Sequence, residues 1–124
     1  MSGSSNEEIA RAISSHRFDE AYPYLADDVT WTLVGTGRLE GGQAFIDTCE
    51  ATATELGDAS THFGQFRVLV GEDWVVIDSV AAYTAADGSK TDVASCDVYR
   101  FRDGKLVEAT SYNIELGEGQ GTPG

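Results

Sequence analysis

Apolar residues near the start of the chain recur at intervals of three and four positions. They run from Ile9 to Ile13, behind Ser5 or Asn6, either of which can cap a helix through its side-chain oxygen. This spacing predicts an amphipathic first helix that ends near Ser15.

The same reasoning predicts two further helices with a strand between them. A second short helix is expected from Phe18 to about Leu25, and Val29–Val34 has the composition of a strand. After the Gly41-Gly42 pair, apolar residues again follow helical spacing, which predicts a third helix from Gln43 to about Leu56.

The second half of the chain is rich in strand-forming residues. Val, Ile, Tyr, Phe and Thr are concentrated in four segments: Thr61–Val70, Trp74–Thr84, Thr91–Phe101 and Leu106–Leu116. Short connections that contain Gly or Asp suit antiparallel hairpins. We therefore predict an α+β fold, in which three N-terminal helices cover a curved antiparallel sheet to form a cone around an apolar pocket.

Length and composition indicate one domain. The chain has 124 residues, of which 41% are hydrophobic, enough for a single core. We assign this domain to residues 6–116. The small and polar residues 1–5 and the glycine-rich residues 117–124 are expected to be disordered.

The charge balance narrows the range of partners. A net charge of −13, from 21 acidic and 8 basic residues, argues against binding to nucleic-acid phosphates or to anionic membranes. The chain starts without a signal-peptide pattern and has no apolar run near the ~20 residues of a membrane-spanning helix. With only two cysteines, we expect an acidic, reduced, cytoplasmic protein.

Hairpin register suggests a pair of aspartates. If Asp87-Gly88 forms a two-residue turn, Asp78 lies opposite Asp97, with Val76 and Tyr99 on the same face. Opposed Cβ atoms are about 5 Å apart, so two carboxylates there would share a proton. Such a pair, facing an apolar pocket, could supply an acid and a base.

A three-residue loop at 86–88 predicts something different. The pairing then shifts by one residue, and Asp78 and Asp97 face opposite sides of the sheet. Asp78 would become a solvated charge that can pair with Arg67 on the neighbouring strand. Both turns suit the sequence.

The last hairpin supplies further candidate pocket residues. A three-residue loop, Arg102-Asp103-Gly104, would place Asp97 opposite Ala109. Ser111 and Asn113 then continue along the same face, and both could hydrogen-bond a ligand.

Two histidines and a tryptophan are less clearly placed. His62 could point inward or outward, whereas His16 lies in a polar segment and is predicted to be on the surface. Trp31 is predicted to form pocket wall or core.

No two His or Cys residues have metal-ligand spacing, and no phosphate-binding loop is present, so we expect neither metal nor cofactor.

The order of elements and two motifs point to a family. "YLADDVTWTLVG" in the first strand and "CDVYRFRDGKLVEATSYNIEL" at the end of the meander resemble the nuclear-transport-factor-2-like (NTF2-like) superfamily, and within it the SnoaL-like group. The resemblance covers residues 6–116. That superfamily includes ketosteroid isomerases, limonene epoxide hydrolases, polyketide cyclases, dehydratases and inert binding modules, so it implies a fold and a homodimer but no single reaction.

The ketosteroid isomerases provide one comparison. Asp97, in "CDVYRF", matches the aspartic acid that those enzymes keep protonated to donate to an oxyanion. Leu33 stands where the resemblance places the general base, and Ile9 stands where it places the oxyanion tyrosine. The resemblance therefore implies an inward Asp97 but not the isomerase's own mechanism.

The limonene epoxide hydrolases provide a second comparison. Asp78, in "VVIDSV", is similar to the acid of their catalytic triad, but Val76 occupies the position of the arginine. Ser111 falls near the second aspartate. Each comparison points its own aspartate inward, which favours the two-residue turn.

We therefore predict a cofactor-independent enzyme of the epoxide hydrolase, isomerase or cyclase type. Asp97 would be the acid and Asp78 the base, acting on a small apolar molecule. The alternative is a non-catalytic ligand-binding or assembly module. A homodimer is expected through the convex face of the sheet, assigned to Val75, Ile77, Ala81, Tyr83 and Val98.

Overall fold

A computed structural model describes residues 5–57 and 59–116. Helix α1 spans Asn6–Ser14, and Ser5 caps it. The Glu8 backbone N–H donates to the Ser5 hydroxyl at 3.1 Å, and the Ser5 N–H donates to the Glu8 carboxylate at 2.8 Å, which completes a capping box. Apart from Ser5, the terminal residues that the sequence predicts to be disordered, 1–5 and 117–124, lie outside the described residues.

The predicted second helix is wrong. Two short 3₁₀ turns, Phe18–Glu20 and Tyr22–Tyr24, occupy the segment instead. Pro23 explains the difference, because it lacks the N–H that a helix would need there and its ring would collide with the carbonyl one turn earlier. Helix α2 spans Gly42–Leu56, close to the prediction.

Six strands form one curved, unclosed sheet in the order β2-β1-β6-β5-β4-β3. Their bounds are β1 Leu25–Leu33, β2 Gly37–Glu40, β3 Ser60–Val70, β4 Trp74–Thr84, β5 Lys90–Arg102 and β6 Lys105–Leu116. The predicted antiparallel pairing holds except between β1 and β6, which are parallel. No hairpin joins these two strands, so no turn imposes an antiparallel direction. Strand β2 was not predicted, since four residues are too few to show a period.

The β4–β5 hairpin has the three-residue loop. The Ala85 N–H donates to the Ser89 carbonyl at 2.8 Å, and the Gly88 N–H donates to the Ala85 carbonyl at 2.9 Å. Gly88 adopts a φ of 88°, as the bulge after such a turn requires. The predicted pairing of the aspartates is therefore wrong: Asp78 lies opposite Cys96, and Asp97 lies opposite Ile77.

A shift of one residue exchanges the two faces of β4. The residues that face the helices are Val75, Ile77, Ser79, Ala81 and Tyr83. The convex dimer face assigned from the sequence is thus wrong at Val75, Ile77, Ala81 and Tyr83, and only Val98 remains on it. Val75 and Ile77 are fully buried, so the observed register fills the core.

The β5–β6 hairpin differs from its prediction without changing faces. Arg102 pairs with Lys105 across a two-residue turn, and the register then shifts at a bulge between Arg100 and Phe101. As a result Asp97 lies opposite Ser111 rather than Ala109. A displacement of two residues leaves Asp97, Ser111 and Asn113 on the predicted face.

The core lies between the helices and the concave face of the sheet. Ile9 and Ile13 of α1 and Phe45 and Cys49 of α2 belong to one buried cluster with residues of four strands. Both cysteines are free thiols. Within residues 5–57 and 59–116, no helix combines the length and apolar character needed to cross a bilayer.

Candidate functional site

A cavity of about 250 Å³ opens between the helices and the concave face. Its apolar walls come from Phe18, Trp31, Leu33, Phe63 and Val93. Pockets for drug-sized ligands measure roughly 300–1,000 Å³, so this cavity suits a smaller organic molecule.

Asp97 projects from β5 into the cavity and is only 9% exposed. The Ser14 hydroxyl donates to Asp97 Oδ2 at 2.7 Å and lies 2.8 Å from the Tyr99 hydroxyl. Because Ser14 has a single proton and gives it to Asp97, Tyr99 must donate to Ser14. The result is a chain of hydrogen bonds from Tyr99 through Ser14 to the carboxylate, which joins the end of α1 to the sheet.

Burial dominates the acidity of this group. Loss of hydration raises the pKa of Asp97 above its ordinary value of 3.8. The Ser111, Ser14 and Tyr99 hydroxyls and the His16 ring act in the opposite direction, because they favour the charged form. Asp97 therefore keeps its proton to higher pH than an exposed aspartate does, and can serve as an acid.

Trp31 belongs to both the core and the cavity wall. Its ring stacks on Phe45 with centroids 4.5 Å apart, and its indole N–H donates to Ser111 Oγ at 2.9 Å. Both alternatives that the sequence left open are thus realised. Ser111 itself lies directly opposite Asp97 in the β5–β6 pairing.

His16 lies in the turn that ends α1. The Arg17 N–H donates to the Ala12 carbonyl at 2.8 Å, and the His16 N–H donates to the Ile13 carbonyl at 3.1 Å. These two bonds define a Schellman motif, in which His16 has a φ of 68°. Glycine is the usual residue at that position because left-handed backbone is strained for residues with a Cβ.

The His16 ring lines the cavity, so its predicted surface position is wrong. Its centroid lies 5.7 Å from that of Phe18, 6.3 Å from that of Phe63 and 5.9 Å from that of Tyr83. Partial burial lowers the pKa of His16, and the nearby Asp97 acts against that shift. The cavity therefore contains an acid with a raised pKa and a base with a lowered one.

Five of the residues singled out from the sequence line this cavity: Trp31, Asp97, Tyr99, Ser111 and Asn113. Asn113 stands near the rim, where it is exposed, and its Oδ1 accepts a bond from Ser95 Oγ at 2.7 Å. The predicted face of β5 and β6 is therefore the one that borders the cavity.

Three of the predicted residues do not reach it. Asp78 lies on the outer face, where it accepts a bond from Arg67 Nε at 3.1 Å. Val76 lies opposite Val98 on that face, and His62 is exposed there. The one-residue shift of the β4–β5 hairpin moves Val76 and Asp78 outward.

Ser14, His16 and Tyr83 line the cavity but were not proposed as site residues. Ser14 follows Ala10 by four residues, which places it on the buried stripe of α1, and this spacing could have identified it. Tyr83 was assigned outward by the incorrect register. His16 carries no helical signal, because its position depends on the turn after the helix.

A curved, unclosed six-stranded sheet with N-terminal helices on one face defines the NTF2-like fold. An NTF2-like protein of unknown function from Cytophaga hutchinsonii shares this fold with 30% sequence identity. The two structures superpose with a TM-score of 0.76 over 86% of this chain and 94% of that one.

The chain belongs to the SnoaL-like domain family, whose model matches residues 7–109. An LEH-like epoxide hydrolase from M. tuberculosis has 18% identity and a TM-score of 0.64, covering 87% of this chain and 81% of that one. IdmH from Streptomyces antibioticus, for which polyketide cyclisation has been suggested, has 18% identity and a TM-score of 0.64 over 83% and 84% of the two chains. At these identities the likeness concerns the fold. No protein of curated function matches the sequence.

Proposed function

We propose that this protein is an acid–base enzyme of the isomerase or cyclase type that acts on a small carbonyl compound in the cavity. The observation that carries the proposal is the Asp97 carboxyl group, buried in the cavity wall at the end of the Tyr99–Ser14 hydrogen-bond chain. A neutral carboxyl group there can donate its proton to a carbonyl oxygen and so ease removal of a proton from the neighbouring carbon.

Epoxide hydrolysis has less support. The sequence comparison with epoxide hydrolases depended on Asp78, which pairs with Arg67 on the outer face. Within the described residues, Asp97 is the one carboxylate among the residues that line the cavity. Reactions that need one carboxyl group, such as enolisation followed by isomerisation or ring closure, fit better than one that needs two.

Enolisation can be tested before the natural substrate is known. The probe is β,γ-cyclohexenone in D₂O, with exchange of the hydrogens next to the carbonyl followed by proton NMR. Asp97→Asn should slow enzyme-dependent exchange by roughly 10²-fold or more, while Asp78→Asn, the same chemical change on the outer face, should leave it unchanged. Equal exchange rates for wild type and Asp97→Asn would contradict the proposal.

A second candidate is a non-catalytic binding module. Asp97 accepts a hydrogen bond from Ser14, so its carboxylate could serve to attach α1 to the sheet and to orient a ligand. In that case the probe would bind without exchanging hydrogen, and Asp97→Asn would change only its affinity.

We also propose that two copies of the chain associate through the outer face of the sheet. Large apolar side chains are exposed on that face, each between 45% and 63%: Leu69, Trp74, Tyr112 and Ile114. Such a surface favours association with a second apolar surface. Sedimentation should show a dimer that Ile114→Glu weakens, and a monomeric wild type at all concentrations would refute it.

A further inference from the structure

The turn after α1 does not need the side chain of His16. Both bonds of the Schellman motif involve backbone groups only, since the His16 and Arg17 N–H groups donate to backbone carbonyls of α1. Glycine would make the same bonds without strain at a φ of 68°. Residues in strained backbone conformations are often found at functional sites, so the His16 side chain is expected to have a role outside the turn.

The His16 ring is partly exposed and lines the cavity. Within residues 5–57 and 59–116, its one polar contact is a 3.4 Å approach between Nε2 and the Tyr83 hydroxyl, near the limit of a hydrogen bond. Because the ring lines the cavity and makes only this weak contact, a bound molecule can compete for the imidazole.

The groups around the ring leave it without a strong ion pair. The 3₁₀ turn contributes Phe18, β3 contributes Phe63, β4 contributes Tyr83 and β5 contributes Asp97. Of these, Tyr83 and Asp97 can titrate, and burial raises the pKa of both. A neutral imidazole with an accessible nitrogen is a suitable base near neutral pH.

We propose that His16 is a second proton-transfer group of the cavity, which takes a proton from the same molecule to whose oxygen Asp97 donates. The inference rests on the proposed function. It adds a histidine at the end of α1 to the residues that the ketosteroid isomerase and epoxide hydrolase comparisons point to.

The step balances without a further reactant. The C–H bond next to the carbonyl breaks, its proton goes to a ring nitrogen of His16, and its electron pair forms the C=C bond of an enol. The Asp97 proton moves to the carbonyl oxygen at the same time. In the return step the imidazolium protonates carbon and the enol proton returns to the Asp97 carboxylate, so both groups regain their starting states.

The chain offers a matched control, because it has two histidines and His62 is exposed on the outer face. His16→Asn keeps a residue that tolerates left-handed backbone, whereas asparagine cannot accept a proton at neutral pH. We expect His16→Asn to slow hydrogen exchange in β,γ-cyclohexenone at least tenfold and to remove the fall in wild-type rate on the acidic side of the pH profile. His62→Asn should behave as wild type.

The outcomes separate this inference from the proposed function. If His16→Asn exchanges hydrogen at the wild-type rate while Asp97→Asn loses exchange, the role of His16 is overturned and the role of Asp97 stands. If the wild type exchanges no hydrogen with this probe, carbethoxylation with diethyl pyrocarbonate still tests whether the His16 ring is accessible, which the inference requires. A His16 that stays unmodified in the native protein while His62 reacts is inaccessible and overturns the inference, whereas reaction at His16 supports an open base.

Discussion

Replacing Asp97 by asparagine tests how far burial controls this carboxyl group. The group is 9% exposed, and asparagine has nearly the same shape and still offers an oxygen to Ser14. The substitution therefore removes the ionisable proton with little change in packing. Any effect that depends on pH then reports the titration of Asp97.

The direction of the effect follows from the raised pKa. Between its ordinary pKa of 3.8 and its higher value in the folded protein, Asp97 holds a proton in the folded chain but not in the unfolded one. The free energy of unfolding therefore falls as pH rises through that interval and is constant above it. Each pH unit by which folding raises the pKa costs about 1.4 kcal/mol once the pH is above the pKa of the folded protein.

Urea unfolding at a series of pH values measures this difference. We expect Asp97→Asn to gain stability relative to wild type as pH rises above 3.8, and then to reach a plateau. Asp78→Asn is the control, since Asp78 is paired with Arg67 on the outer face. A difference between wild type and Asp97→Asn that stays constant with pH, or that changes in the opposite direction, would refute the reasoning.

Three smaller predictions concern the hydrogen-bond chain, the outer face and the loop. Tyr99→Phe removes the donor to Ser14 and should lower the free energy of unfolding by about 0.5–1.5 kcal/mol in urea titrations. Asp78→Ala breaks an ion pair that is largely exposed on the arginine side, so it should cost no more than about 1 kcal/mol, measured in the same way. Gly88→Ala meets no atom within 4 Å but places a Cβ at a φ of 88°, so a loss of about 1–2 kcal/mol is expected from backbone strain alone.

The elements were largely predictable because each has a local signal. Helical spacing placed α1 and α2, and composition placed the four long strands. The second helix failed at a single residue, Pro23, whose effect on a helix was itself readable from the sequence. Strand β2 and the parallel pairing of β1 with β6 were not predictable, because both depend on contacts between distant parts of the chain.

The site was predictable on β5 and β6 but not on β4. At the β5–β6 hairpin the register was wrong by two residues, which preserved the face of Asp97, Ser111 and Asn113. At the β4–β5 hairpin it was wrong by one, which reversed the face of Asp78. A register error of one residue therefore exchanges the two faces of a strand, whereas an error of two residues leaves each side chain on its predicted face.

Local turn chemistry could not choose between the two β4–β5 registers, because Gly88 suits both loops. Burial could. The alternative register would bring Asp78 into the apolar interior beside Asp97 and expose Val75 and Ile77, both now fully buried. Two carboxylates in one apolar site cost several kcal/mol unless one is protonated, whereas on the outer face Asp78 meets Arg67.

Deleting Ala86 tests whether burial or the loop sets this register. The deletion leaves Asp87-Gly88 as a two-residue turn between Ala85 and Ser89, which already pair. If burial sets the register, that pair persists, Ile77 stays opposite Asp97, and the cost is about 1–2 kcal/mol for left-handed backbone at Asp87. Cross-strand NOEs between Ile77 and Asp97, with urea titrations, would measure both. NOEs that instead place Asp97 opposite Asp78 would show that the length of the loop outweighs the burial of the β4 side chains.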